Sequence, residues 1–363
     1  MGSAKGVNKL GMFDLLKGFG MCVIVITHIV GYYRIKFIGA TLFFPLWYIG
    51  YGLMPMFFLM SGYNFRRKSF KKCIKQQAGF YIAPYIKLAI VTVPVYCVLH
   101  YLTFRYKAGA IYETKNMAMC FLFGMSGPTT FAGYTFNYGV VAVWFFLAMF
   151  IGWVLLNQIM SIKNPKAAGV VVVAVSVAGV LLGQFCDKIP YCGEIVPWCI
   201  PQGMVATGFI YLGHLMKKKS WLSRKIPISI IIAMFVFSAV CSVFGNLGMT
   251  NARWNNGIID VVASGIAGFL CIKAGISLNK YSGKAAMFLR KVGKYNYWII
   301  SLHCFEIMAF HWTEFALKMM DKGLGFVAFI IQLVICVLVI VGGIMLFEFI
   351  NKIKVKRKIK NKI

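Results

Sequence analysis

The chain has 363 residues, of which 60% are hydrophobic and 13% are charged, and its mean hydropathy is +0.76. Soluble domains are about a quarter charged and about half apolar or less. This composition excludes a soluble enzyme, a nucleic-acid-binding module and a disulfide-stabilised secreted domain. At about 20 apolar residues per span, the chain has room for about ten transmembrane helices. We therefore expect an all-α fold, a polytopic membrane helix bundle, built as a single domain over residues 1–363.

Apolar stretches of helical length set the expected order of the spans. Ten of them are predicted to cross the membrane: 12–33, 43–63, 78–102, 136–157, 167–185, 196–216, 226–246, 257–278, 295–312 and 324–350. The chain carries 39 Lys and Arg residues against nine Asp and Glu residues. In this arrangement 28 of the basic residues fall on the side of the termini and nine on the other side. Short cytoplasmic loops concentrate Lys and Arg, so both termini are predicted to be cytoplasmic.

Two outer connections do not fit a simple hairpin. Residues 103–135 include the apolar run MAMCFLFGMSG, which is too short to span and is expected to be interfacial or re-entrant. The loop 184–201 carries Cys186, Cys192 and Cys199. A disulfide between Cys186 and Cys192 would suit an oxidising exterior, and two free thiols are the alternative. No metal-ligand spacing stands out among the eleven cysteines, so no metal is expected.

The first helix concentrates polar side chains where lipid makes them costly. Its sequence FDLLKGFGMCVIVITHIV contains Asp14, Lys17 and His28. At about 100° per residue, Lys17 and His28 lie within about 20° of each other, with Asp14 about 60° from Lys17. His28 lies about 16 Å deeper than Lys17 along the axis. This spacing predicts a polar stripe from the cytoplasmic edge to mid-membrane. Snorkelling charges and a buried, hydrogen-bonded histidine would produce the same pattern.

The same helix resembles the first helix of the acyltransferase-3 family of bacterial membrane acyltransferases. A basic residue, ten intervening residues and a histidine form that family's signature, which Lys17 and His28 match. Four further segments are similar to family motifs in the same order: PMFFLMSGYNFRR at 55–67, FYIAPYIK at 80–87, VWFFLAMF at 143–150 and YWIISLHCFEI at 297–307. In one departure, Ala78 and Tyr81 stand where family members commonly carry two arginines before the third-helix proline, here Pro84.

This resemblance implies a multi-pass enzyme of the bacterial cytoplasmic membrane, similar to stand-alone fucose 4-O-acetylases. It implies transfer of an acyl group, usually acetyl from acetyl-CoA, to a hydroxyl or amine of a surface glycan or lipid-linked sugar. Acyl-CoA, the sugar acceptor and membrane lipids are the expected partners; nucleic acid is not, and the oligomeric state stays open. His28 is expected to act as the general base, since an imidazole titrates near neutral pH, or as a transient acyl carrier.

The donor's phosphates require cations at the cytoplasmic mouth. The basic residues expected to supply them are Lys17, Arg66, Arg67, Lys75 and Lys87. The positive-inside rule alone would also place most of these cations there.

Smaller polar features complete the expected site. Asp14 would orient Lys17 or His28, or simply pair with Lys17. Ser61, followed by Gly62, would meet the donor, and the two small residues would alternatively serve close helix packing. His303 and Glu306 are three residues apart on the ninth predicted span. They would polarise His28 or bind the acceptor, and a purely structural pair is the alternative.

A transporter or flippase for a glycan-linked lipid or another anionic substrate would use the same intramembrane charges. Release of free CoA distinguishes the two functions, because an acyltransferase produces this thiol and a transporter does not.

Overall fold

The structure is a computed structural model, which describes residues 11–33, 39–245 and 248–360. Five residues counted among the loop charges lie outside the described residues: Lys5, Lys9, Arg34, Lys36 and Lys362. The described chain is predominantly helical, as the composition predicts.

Fourteen α-helices follow one another in the described parts of the chain. They are α1 (Met12–Tyr33), α2 (Gly39–Tyr63), α3 (Phe70–Gln77), α4 (Ala83–Phe104), α5 (Lys107–Phe123), α6 (Trp144–Ile159), α7 (Pro165–Gln184), α8 (Ile200–Lys218), α9 (Ile228–Phe244), α10 (Ile258–Leu278), α11 (Lys284–Lys294), α12 (Asn296–Ala309), α13 (Trp312–Asp321) and α14 (Gly325–Lys360). A π-helical turn, Ala78–Ile82, joins α3 to α4. An antiparallel hairpin of β1 (Thr129–Phe131) and β2 (Tyr134–Phe136) is the small departure from an all-α fold.

Long apolar helices make this a multi-pass membrane protein. Among the described residues, six helical stretches are long and apolar enough to cross a bilayer: Met12–Tyr33, Phe70–Phe104, Val141–Ile159, Pro165–Gln184, Ile258–Leu278 and Gly325–Ile350. The four other predicted spans also coincide with helices, namely α2, α8, α9 and α12. The count of ten crossings and the cytoplasmic side of the termini stay predictions.

The long connection predicted over 103–135 folds back onto the bundle. Its first part is α5, and the Tyr85 hydroxyl near the start of α4 donates to the Phe121 carbonyl near the end of α5 at 2.6 Å. Helix α5 therefore runs antiparallel to α4. The buried Asn116 side chain then holds the hairpin, since its Nδ2 donates to the Thr135 carbonyl at 2.8 Å and its Oδ1 accepts from the Asn137 N–H at 2.8 Å.

Glycines allow the backbones of neighbouring helices to touch. A Cβ on Gly62 in α2 would lie 1.9 Å from the Ile210 carbonyl oxygen of α8, a separation that no side chain tolerates. Of the two roles predicted for the small residues at 61–62, Gly62 therefore serves close helix packing. Gly18 of α1 meets α11 in the same way, because its Cβ would lie 1.8 Å from the Leu289 carbonyl oxygen.

Candidate functional site

A cavity of about 390 Å³ lies between α1, α2, α6 and α12. Its wall is mostly apolar and aromatic, with a few polar groups, which is the usual character of a small-molecule site. The polar and charged members of the wall are Lys17, Thr27, His28, Ser61, Asn64, Tyr81, Thr250, Asn296 and Tyr297. The cavity is thus built from segments far apart in the chain.

Helix α1 supplies the two residues that define the site. Lys17 and His28 both line the cavity, as their shared helical face requires. In the wall as the structure describes it, Lys17 is the one charged residue. Its Nζ lies 2.8 Å from Asp14 Oδ1, and each side chain is 29% exposed. Asp14 therefore holds the Lys17 ammonium at one end of the cavity, with His28 about 16 Å farther along the helix.

His28 is backed by a second histidine from α12. The rings of His28 and His303 are stacked, with centroids 5.5 Å apart and planes 17° apart. His303 Nδ1 lies 3.4 Å from Glu306 Oε2, and both of these side chains are fully buried. The sequence-predicted residues His28, His303 and Glu306 therefore form one contiguous group that passes from the cavity wall into the protein.

Ser61 lies on the cavity wall with its hydroxyl fixed by α6. The Trp153 indole N–H donates to Ser61 Oγ at 2.8 Å, so this hydroxyl accepts one hydrogen bond from α6. The neighbouring Tyr81 interacts with the same hydroxyl. Tyr81 is the residue that replaces one of the family's arginines, and it lines the cavity as well.

The remaining predicted donor-binding cations are not brought to this cavity. Arg66, Arg67, Lys75 and Lys87 are exposed and do not belong to the described wall. The loop after α2 is anchored at Lys68, whose backbone N–H donates to Asn157 Oδ1 at 2.8 Å and whose carbonyl accepts from Asn157 Nδ2 at 3.0 Å. These anchors fix the backbone of the loop beside Arg66 and Arg67, whose side chains extend into solvent.

Several residues of the cavity wall were not predicted as site residues from the sequence. Thr27 precedes His28, Asn64 follows the Ser-Gly-Tyr motif, and Asn296 begins α12 next to Tyr297. Each of the three lies within three residues of a residue that the sequence singles out, so proximity to a motif was the available signal. Thr250 comes from the loop between α9 and α10, where no pattern marked it.

One family of known proteins matches most of the chain. A family model described as an acyltransferase domain matches residues 11–348. No curated protein matches the chain, and no solved structure matches it. The family match covers all of the segments that form the cavity, from α1 to α12. The chain therefore belongs to the acyltransferase-3 family of membrane acyltransferases.

Proposed function

We propose that this acyltransferase takes its acyl group, most often acetyl, from cytoplasmic acyl-CoA and transfers it to a hydroxyl or amine of a surface glycan or lipid-linked sugar. The observation that carries the proposal is the cavity itself, which has a cation, Lys17, and a histidine, His28, on one wall. A long, thin donor with phosphates at one end and a thioester at the other suits this arrangement, in which Lys17 and His28 are about 16 Å apart along α1.

Donor binding is assigned to the Lys17 end of the cavity. The Lys17 ammonium has three N–H donors, and one of them is directed at Asp14 Oδ1, which lies 2.8 Å from Nζ. The other two are available to phosphate oxygens, and charge-assisted hydrogen bonds of this type are short and strong. Asn64 and Asn296 add uncharged donors to the same wall. The exposed Arg66, Arg67, Lys75 and Lys87 would contribute through the general positive potential of the cytoplasmic face.

The chemical step is assigned to His28. Its imidazole accepts the proton of the acceptor hydroxyl while the hydroxyl oxygen attacks the thioester carbonyl carbon. The new C–O bond forms, the C–S bond breaks, and the leaving thiolate takes the proton from the imidazolium to give free CoA and neutral His28. The step needs no other reactant, since the proton that leaves the acceptor ends on the thiol.

Neighbouring side chains would stabilise this step. The Ser61 hydroxyl, held by Trp153, is placed to donate to the thioester oxygen as negative charge develops there. The His303 ring stacks on the His28 ring. Outside the described cavity wall, the Glu306 Oε2 atom lies 3.4 Å from His303 Nδ1. This pair would fix the orientation of His28, because His303 packs against one face of its ring. Asp14 acts through Lys17 as a positioning residue.

Release of free CoA from acetyl-CoA, measured with purified protein in nanodiscs, tests the proposal. Slow release by the wild-type protein that is lost in His28→Ala, with donor binding retained in both, would support it. The donor hydrolyses slowly when water replaces the acceptor, so this assay needs no identified sugar. If the wild-type protein showed neither donor binding nor CoA release, that result would contradict the proposal and favour the transporter. A bacterial cytoplasmic membrane is the location that matches this donor and acceptor.

A further inference from the structure

A buried cluster of three metal-ligating side chains lies behind His28, outside the cavity wall. His303 and Glu306 belong to α12, and Cys336 belongs to α14. His303 Nδ1 lies 3.3 Å from Cys336 Sγ and 3.4 Å from Glu306 Oε2. The three candidate ligand atoms all lie within 4.8 Å of one another, and all three residues are fully buried.

The polar atoms of this cluster are not satisfied by their neighbours. Nε2 of His303 is buried without a hydrogen-bond partner in the described protein. Neither carboxyl oxygen of Glu306 accepts a well-aligned hydrogen bond there, and its neighbours are the two other members of the cluster, His303 and Cys336. The Gln332 side chain lies one helical turn before Cys336, is fully buried, and has both amide atoms unpartnered among the described residues. Buried polar groups without partners destabilise a fold, so a cluster of them in the bundle indicates an additional ligand.

We propose that His303, Glu306 and Cys336 bind one divalent transition-metal ion, with Zn²⁺ the best match. Zinc bonds of about 2.0–2.3 Å to nitrogen, oxygen and sulfur place tetrahedral ligand atoms about 3.3–3.6 Å apart. The two distances from His303 Nδ1 agree with this spacing, and the Glu306 and Cys336 ligand atoms lie within 4.8 Å of each other. The mixture of imidazole, carboxylate and thiolate suits zinc better than the oxygen-seeking Mg²⁺ or Ca²⁺.

Charge balance also favours a divalent ion at this place. A carboxylate and a thiolate together cancel a charge of +2, and a neutral imidazole adds none. The loaded site is therefore uncharged overall, as a position within a membrane bundle requires. The amide oxygen of Gln332, which is buried, unpartnered among the described residues and one helical turn from Cys336, would be a candidate fourth ligand.

The bound ion would act on His28 through His303. A metal on Nδ1 of His303 leaves its proton on Nε2 and fixes the plane of the ring, which stacks on His28. This consequence rests on the proposed function, whereas metal binding does not. The three ligands are three and 30 residues apart, which explains why no short metal-binding motif is visible in the sequence.

Metal content measured on the full chain tests the site. The protein is purified without chelators, loaded with Zn²⁺, freed of excess metal and measured by plasma mass spectrometry. We expect about one zinc per chain, and loss of most of it in Cys336→Ser and Glu306→Gln. The matched control is Cys304→Ser, which removes an equally buried thiol next to His303 and should keep the metal. Loading with Co²⁺ should produce a cobalt–thiolate charge-transfer band that Cys336→Ser abolishes.

A thermal measurement covers the case in which a variant is poorly folded. Added Zn²⁺ should raise the unfolding temperature of the wild type and of Cys304→Ser, because a ligand of the native state stabilises it, and should leave Cys336→Ser unchanged. Substoichiometric zinc in the wild type, with no cobalt–thiolate band, would overturn the proposal. Metal binding and CoA release are separate measurements, so bound zinc with neither donor binding nor CoA release would contradict the proposed function alone, and CoA release without metal would contradict the metal site alone.

Discussion

The imidazole rings of His28 and His303 lie face to face, with centroids 5.5 Å apart, and only the first of them lines the cavity. One histidine therefore faces the cavity, while the other connects it to buried groups on α12. In this arrangement, loss of His28 removes the imidazole that faces the cavity, and loss of His303 removes the ring that packs behind it.

His28→Ala should lower the rate of CoA release by about 10²–10⁴-fold, the usual contribution of a general base. Donor affinity should change little, because Lys17 is about 16 Å away along α1. The measurement is thiol release alongside binding of acetyl-CoA. His214→Ala is the control, since His214 packs on the Phe65 ring and is not part of the described wall. Equal losses in the two variants would indicate a general structural effect.

Lys17→Ala should weaken donor binding about 10- to 100-fold, because hydrogen bonds to charged groups contribute about 1.5–3 kcal/mol. Lys17→Arg should retain much of the affinity, and the rate at saturating donor should change less than the KM for acetyl-CoA. Lys75→Ala removes an exposed charge and is the control. If Lys75→Ala raised the KM as much as Lys17→Ala, the potential of the whole cytoplasmic face, rather than the cavity, would hold the donor.

Gly62→Ala should destabilise the fold, because the new Cβ would lie 1.9 Å from the Ile210 carbonyl oxygen. Overpacking of this kind costs about 1–3 kcal/mol or more, which should appear as a lower unfolding temperature in detergent. Gly342→Ala is the matched control in α14, where a Cβ meets nothing within 4 Å. An alanine there should leave stability unchanged or raise it, since alanine favours a helix over glycine by about 1 kcal/mol.

Cys192 should react slowly with alkylating reagents at neutral pH. Burial, and to a smaller extent the nearby Cys186 thiol, raises the pKa of Cys192 above its ordinary value of 9.0. The thiolate is the reactive form, so labelling should increase about tenfold per pH unit from pH 7 to 9. Both cysteines are free thiols in the structure, and Cys186 Sγ donates to the Glu194 carbonyl at 3.0 Å. Mass spectrometry of the denatured, alkylated protein should find two labelled thiols; a disulfide would block both.

The parts of the site that lie on one helix could be predicted from the sequence. Lys17 and His28 follow from the helical period together with the cost of charge in lipid, and His303 and Glu306 from the same cost. Contacts between distant segments could not be predicted, because no local pattern encodes the approach of Cys336 to His303 or of Thr250 to the cavity. A donor-binding role for Arg66, Arg67, Lys75 and Lys87 stays a prediction, because the positive-inside rule places basic residues there whether or not they bind a ligand.

For the fold as well, single helices could be predicted from the sequence, and contacts between distant segments could not. Long apolar helices were recognisable from composition, and helices occupy all ten predicted positions. Helix α5 was not predicted, because its sequence KAGAIYETKNMAMCFLF mixes charged and apolar residues without a clear helical period. Its position depends on α4 and on the hydrogen bonds of Asn116 with the hairpin, which appear only when the segments are packed together.

Helix α11 links the surface of the bundle to the cavity entrance. Its outer face is a mixture of lysines and exposed apolar side chains, with Met287 56% and Phe288 61% exposed, and this composition suits a helix that lies at a bilayer surface. Its inner face touches the backbone of α1 at Gly18, beside Lys17. Because the two backbones are in direct contact at this point, a tilt of α11 would also move the turn of α1 that carries Lys17. If Lys17 binds the donor as proposed, the surrounding lipid would in this way influence the donor site, and the affinity for acetyl-CoA would change with the charge of the membrane.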